Sequence, residues 1–179
     1  MLADLSTYLA SGAPLSEESA SWLDGQIQLR IRGYLTGWMP PLDAITSARC
    51  LVFRNDAVLV QRDQHSTHIL PGGRREPGES PLETVRREVL EETGWRLADP
   101  VLLGFGHFRH LTPKPPGYAY PYPDFVQVVY VADAVDFVPG ARLDDGYEVE
   151  SVFRSIPDVQ RLPLPPNQRL FLEAALQLR

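Results

Sequence analysis

Over the first forty residues the apolar positions recur at helical rather than alternating spacing. Leu2, Leu5 and Leu9 share one helix face. Trp22, Ile27, Ile31, Tyr34 and Trp38 then follow at roughly helical intervals behind Ser16, a suitable N-cap. Two helices are expected here, although Gly25 and Gly33 weaken the second. Pro40-Pro41 stops the pattern and marks a boundary. From Ala48 the pattern shortens to that of strands. RCLVF (49–53) and AVLVQ (57–61) flank Arg54-Asn55-Asp56, which reads as a hairpin turn, and THIL (67–70) is a third strand leading into Pro71-Gly72-Gly73. Residues 81–92 read as a helix, with Ser80 as N-cap, Pro81 at the first position, Glu83 closing a capping box and Gly94 as the stop.

Further strands are expected at 101–108, 125–134 and 148–154; the second is apolar on both faces and so central. A final helix starts near Asn167, with Leu170, Phe171, Ala174, Ala175 and Leu178 in one stripe. Mixed strands with few helices give an α+β class. The expected organisation is an N-terminal helical extension over 1–44 and one domain over 45–179. The extension's apolar stripe must be covered, either by a second copy in a homodimer or by the chain's own core.

Hydrophobic residues make up 44% and charged residues 22%, as in ordinary globular proteins. The net charge of -6 argues against a nucleic-acid polymer or an anionic membrane as partner, and makes local cations necessary if phosphates are handled. With Cys50 as the single cysteine, an intrachain disulfide and a cysteine-based zinc site are excluded. The N-terminus lacks a signal-peptide pattern and no long apolar run occurs, so a soluble, cytoplasmic protein is expected.

The candidate chemistry lies in 73–95. At about 100° per residue, Glu88, Glu91 and Glu92 fall within one sector of about 100° on the helix. Leu82, Val85 and Val89 form an adjoining apolar stripe that can pack on a sheet. Clustered carboxylates repel, and a divalent cation is the simplest compensation. All-oxygen ligands suit magnesium, with manganese as an alternative. Three glutamates at this spacing, taken alone, more often describe a solvated helix face, with Glu83–Arg87 an ordinary i,i+4 pair. The preceding Gly72, Gly73 and Gly78 change the balance, because a glycine-rich turn feeding a helix presents backbone groups to a metal or phosphate.

The stretch GRREPGESPLETVRREVLEETGW resembles the Nudix box: Gly, five residues, Glu, seven residues, Arg-Glu-aliphatic-any-Glu-Glu-any-Gly-aliphatic. Gly73, Glu79, Arg87, Glu88, Val89, Glu91, Glu92 and Gly94 match; only Trp95 departs, replacing an aliphatic residue with another large apolar one. The resemblance implies a Nudix fold, a mixed β-sheet sandwiched between α-helices, over roughly 45–179. It implies hydrolysis of a nucleoside diphosphate linked to another moiety, such as a nucleoside triphosphate, oxidised nucleotide, nucleotide sugar or dinucleotide polyphosphate. It further implies Glu88 and Glu92 as metal ligands, Glu91 as ligand or general base, and the Gly73 carbonyl completing the site. Arg87 and Glu79 would orient these carboxylates. Glu148, with Glu150 beside it, is the candidate for an additional acidic ligand from a later strand.

Two other functions share the fold: an isopentenyl diphosphate isomerase, which would need Cys50 in its pocket, and a non-catalytic nucleotide sensor, which could dispense with the carboxylates. Cys50 reads better as a small buried residue. His107 and His110 face opposite sides of a strand and do not form a metal pair. Arg62, Arg74 and Arg75 flank the box as candidate phosphate contacts. In the proline- and tyrosine-rich stretch 112–123, Tyr118, Tyr120 and Tyr122 either stack on a base or cover the domain edge.

Overall fold

The computed structural model describes residues 5–63, 66–118, 120–143 and 148–179, without the side chains of Glu148 and Val149. Its centre is a mixed sheet. Strand β1 (Ser16–Trp22) pairs antiparallel with β2 (Ile27–Leu35), and β2 pairs with β8 (Val101–His110). Next come β9 (Asp124–Phe137), β3 (Ile45–Arg54), β4 (Ala57–Asp63) and β10 (Glu148–Ser155). The β3–β9 pair is parallel. Short strands β5 (Thr67–His68), β6 (Gly72–Arg74) and β7 (Trp95–Leu97) pair with β4, β3 and β9. As the two-sided apolar pattern requires, β9 is central, bonded to both β8 and β3. The β3–β4 hairpin turns at Asn55-Asp56, with Asn55 left-handed at φ 53°.

Helices cover both faces. On one, α1 (Leu5–Ala10) and α2 (Pro81–Thr93) pack against Ala48, Cys50, Val52 and Phe105. Val85 and Val89 of α2 are fully buried there, worth about 1.5–3 kcal/mol each. On the other face, α3 (Ile156–Gln160) and α4 (Pro166–Gln177) bury Val159, Phe171, Leu172 and Ala175 against Leu51, Phe53 and Val129. This is the expected α+β sandwich. Among the described residues, no helix is long and apolar enough to cross a membrane.

The expected N-terminal helical extension is corrected. Among the described residues of this segment the α-helix spans 5–10 and a short 3-10 turn spans 42–44, whereas 16–35 form a β-hairpin that extends the main sheet. Ile27 and Ile31 are four apart, which suits a helix, but Leu29 between them completes an alternating pattern that β-branched residues favour. The alternation shows in burial: Ile27, Leu29 and Ile31 are buried while the residues between them are half-buried. Leu23 and Asp24, at φ 50° and 51°, make the reversal with Gly25. Of the stripe that motivated a homodimer, Ile27, Ile31 and Tyr34 are covered by the chain's own core, Tyr34 stacking on Phe105 with centroids 4.8 Å apart, while Trp22 and Trp38 stay exposed. Gly33 belongs to this strand because α4 leaves it no room: a methyl there would lie 2.7 Å from the Leu170 side chain and nearer still to Ser16 and Asn167. That close approach seats the start of α4 on β2, beside the site.

Candidate active site

Helix α2 carries the carboxylates, and its ends are locked. Ser80 Oγ accepts from the Glu83 N–H at 3.2 Å, and Glu83 Oε2 accepts from the Ser80 N–H at 2.7 Å. Such a box contributes on the order of 1 kcal/mol. Gly94 closes the helix at φ 76°.

Arg87 organises the cluster. Its Nε and Nη2 donate to the two oxygens of Glu79 at 2.6 and 2.9 Å, a bidentate pair. Nη1 donates to Glu88 at 2.9 Å and Glu91 at 3.1 Å, and Nη2 also reaches the Arg74 carbonyl at 3.1 Å. The Arg87 bond, aided by the Glu76 N–H and the Thr84 hydroxyl, holds the Glu79 carboxyl down at about 2 against partial burial. Glu79 in turn shifts Arg87 upward. One guanidinium thus ties three carboxylates to the loop before the helix.

The loop itself is β6, paired with β3 from Ser47 to Arg49. Gly72, at φ 132°, takes a backbone conformation closed to side chains, and its N–H donates to Glu92 at 2.8 Å. Gly73 is needed for a different reason. A methyl on it would stand 2.6 Å from Glu88 Oε1 and closer to the rest of that carboxylate. Arg49 holds the loop from beneath by donating to the Gly72 carbonyl. Arg75 donates to the carbonyls of Ile45, Glu79 and Leu42 at 3.1 Å each. Glu88 and Glu92 are thus pressed against two glycines from one side of the loop. This all-oxygen donor set suits a hard divalent cation. Among the described residues, no three His, Cys, Asp or Glu side chains converge on one ligating point; the carboxylates are spread along Arg87 and the Gly72 N–H.

Glu92, Gly72 and Gly73 line one end of a cleft of ≈ 620 Å³. Its opposite wall is the N-terminal hairpin, through Glu18, Ala20, Trp22 and Ile31, with Phe108 and Gln127 as floor and Asn167 and Gln168 of α4 at the side. Gln168 accepts from the Ile69 N–H at 3.0 Å, tying α4 to the approach of the glycine loop.

A family model described as the NUDIX domain matches residues 44–175. The chain belongs to the Nudix family. It is accordingly an enzyme, a hydrolase acting on pyrophosphate bonds. It is similar to the uncharacterized Nudix hydrolase YvcI of Bacillus subtilis (strain 168), 27% identical over 130 residues, covering 69% of this chain and 74% of that one. Among solved structures, it shares its fold with the Bacillus subtilis pyrophosphohydrolase BsRppH: TM-score 0.61, 18% identity, covering 92% of this chain and 98% of that one. A NUDIX hydrolase from Nitrosomonas europaea superposes with TM-score 0.55 at 23% identity, covering 74% and 89% of the two chains.

Of the residues named from the Nudix box, Gly73, Glu79, Arg87, Glu88, Glu91 and Glu92 come together at the loop and helix α2. Glu148 begins β10 opposite Asp63, and its side chain lies outside the described residues. Glu150 pairs with Arg62 at 3.5 Å and Arg154 at 3.7 Å. The flanking arginines are otherwise engaged: Arg75 as above, and Arg74 stacked over Tyr120 at 4.2 Å. Tyr118 faces inward to His110 at 3.0 Å, and Tyr122 donates to the Thr112 carbonyl at 3.0 Å. His107 is bonded to Asp124 at 2.8 Å. Cys50 is fully buried in the sheet, and burial pushes its thiol upward, so the isomerase reading loses its reactive residue. Sequence reasoning missed Arg49, Glu18, Trp22, Phe108, Asn167 and Gln168. The signal for Arg49 was a charge interrupting an apolar strand; Glu18 and Trp22 were hidden by the helical misreading of their hairpin.

Proposed function

We propose that this chain is a magnesium-dependent pyrophosphohydrolase that cleaves a nucleoside diphosphate linked to another moiety, manganese substituting for magnesium. The reading rests on one observation: Glu92 of α2 and the glycine loop, against which Glu88 also packs, form one end of a cleft whose other end is aromatic. Its support includes fold neighbours known as a pyrophosphohydrolase, a UDP-X diphosphatase and an ADP compounds hydrolase. Glu88, Glu92, the Gly73 carbonyl and Glu148 are the proposed metal ligands, with Glu91 as ligand or base. When bound, the cation supplies charge neutralisation at the phosphates and a more acidic water. Arg87 positions Glu88 and Glu91, and Glu79 holds Arg87 in register. Glu91 accepts the proton of the attacking water; the bridging phosphorus–oxygen bond breaks and two phosphate-terminated products leave.

The test is turnover of a panel of nucleoside diphosphate derivatives with magnesium, products separated by chromatography. Glu88→Gln and Glu92→Gln remove ligand charge without changing shape, and each lowers kcat by orders of magnitude in a folded protein. Magnesium raises the melting temperature of the wild type, and less so that of Glu92→Gln. Near-wild-type rates in both variants refute the assignment.

A further inference from the structure

Two residues at the far end of the cleft, Glu18 and Trp22, lie outside the matched family segment, and with their neighbours they present a specific chemical pattern. Trp22 lies on β1 with 39% of its surface exposed. Its inner side rests on Phe108 and Phe125, with ring centroids 6.0 and 6.2 Å away, and those two phenylalanines are themselves stacked at 4.9 Å. The indole is thus backed by a rigid aromatic pair while lining the cleft, which is how a stacking platform for a flat heterocycle is made.

Four residues earlier on the same strand face stands Glu18, also lining the cleft and half-buried. It shares the cleft lining with Asn167 at the start of α4. Burial raises its carboxyl above the ordinary value, and the backbone N–H of Asn167 partly offsets this by favouring the anion. By contrast, the neighbouring Glu17 is turned to the other side of β1, where it pairs with Arg32 at 2.7 Å. An ionised carboxylate only accepts hydrogen bonds, and it accepts best from two adjacent N–H groups. Among the common bases, guanine alone offers that pair on one edge, its N1–H beside its exocyclic 2-amino group. Adenine presents a donor beside an acceptor, and hypoxanthine a single donor.

We propose that Trp22 and Glu18 form a guanine subsite, so that the hydrolase acts on a guanine nucleotide, the base stacked on Trp22 and its N1–H and 2-amino edge bound by Glu18. The subsite places the base at the hairpin end of the cleft and the phosphates at the Gly73 and Glu92 end. This rests on the reading of the cleft as a nucleotide pyrophosphohydrolase site, and the two are separable by experiment.

Binding of GDP, IDP and ADP to the full-length protein in magnesium-free buffer, followed by tryptophan fluorescence, tests it without turnover. GDP is expected to bind about tenfold more tightly than IDP or ADP, since loss of one charge-assisted donor leaves the carboxylate under-satisfied. GDP quenches fluorescence in the wild type, and the quench is largely lost in Trp22→Phe, where the other tryptophans remain. Glu18→Gln, with a wild-type melting temperature, brings GDP and IDP to within about twofold of each other. Should Glu18→Gln fail to fold, the three-base comparison on the wild type still decides. Equal affinity for the three diphosphates overturns the subsite, as does an undiminished quench in Trp22→Phe. The guanine preference without hydrolysis of any guanine nucleotide derivative refutes the pyrophosphohydrolase reading and leaves the subsite standing.

Discussion

Adding one methyl at each of two adjacent glycines separates the scaffold from the chemistry. At Gly73 the methyl would stand 2.6 Å from Glu88 Oε1 and nearer to its other carboxylate atoms, whereas an ordinary carbon contact needs about 3.5 Å. The carboxylate must therefore retreat by about 1 Å. It is the end of a flexible side chain, so the retreat costs the fold little, about 1 kcal/mol or less, or roughly 2–4 °C in Tm. The same displacement at a reacting centre costs about 100-fold in rate. Gly72→Ala behaves oppositely. Its φ of 132° excludes a side chain, and the methyl would meet backbone that cannot move aside: the Arg49 Cα at 2.9 Å and the Ala48 carbonyl oxygen closer still. Strain and overpacking together cost about 2–6 kcal/mol there, roughly 5–20 °C in Tm. Calorimetric melting and kcat on the best nucleotide substrate, measured side by side, check both. Wild-type turnover in Gly73→Ala would refute the view that contact with the loop sets the working position of Glu88. A Gly72→Ala protein that melts like wild type would refute the backbone argument.

Arg87→Lys keeps the charge but loses the fork to Glu79 and the shared contact to Glu88 and Glu91. It is expected to lower kcat about 10–100-fold, and a rate within threefold of wild type would remove Arg87 as the positioning residue. Acid stability follows from Glu79, whose carboxyl is held at about 2 rather than 4.5. Because its folded value is depressed, its contribution is fully present above about 4.5 and is lost as pH falls from about 4.5 towards about 2. In Glu79→Gln, urea unfolding should show a shallower loss of stability across that window; an unchanged slope would deny Glu79 this role.

The catalytic stretch was legible because its geometry is local. The carboxylates sit within five positions of one helix, whose caps, Ser80 with Glu83 and Gly94, are written in adjacent residues. The β3–β4 hairpin and central β9 were equally readable from Asn55-Asp56 and from the two-sided apolar run. The cleft's opposite wall was not. Its residues meet through pairing of β2 with β8 and the seating of α4 on Gly33, contacts between distant parts of the sequence. The misread hairpin shows the ambiguity directly: Ile27 and Ile31 satisfy both periods, and only the partner strand decides. For the tyrosines of 112–123 the deciding contacts were also tertiary, His110 for Tyr118 and Arg74 for Tyr120.

The pairing of β2 with β8 also has a consequence in time. On the ribosome, the hairpin emerges long before the strand that completes it. At about 5–20 residues per second, the stretch from Leu35 to Val101 takes roughly 3–13 s to synthesise. Throughout that interval the nascent hairpin is a two-stranded ribbon, marginal on its own, with a bare edge and the apolar face of Ile27, Leu29 and Ile31 uncovered. The segment that lines the far end of the cleft is thus also open to capture by chaperones, or by a neighbouring nascent chain, during translation.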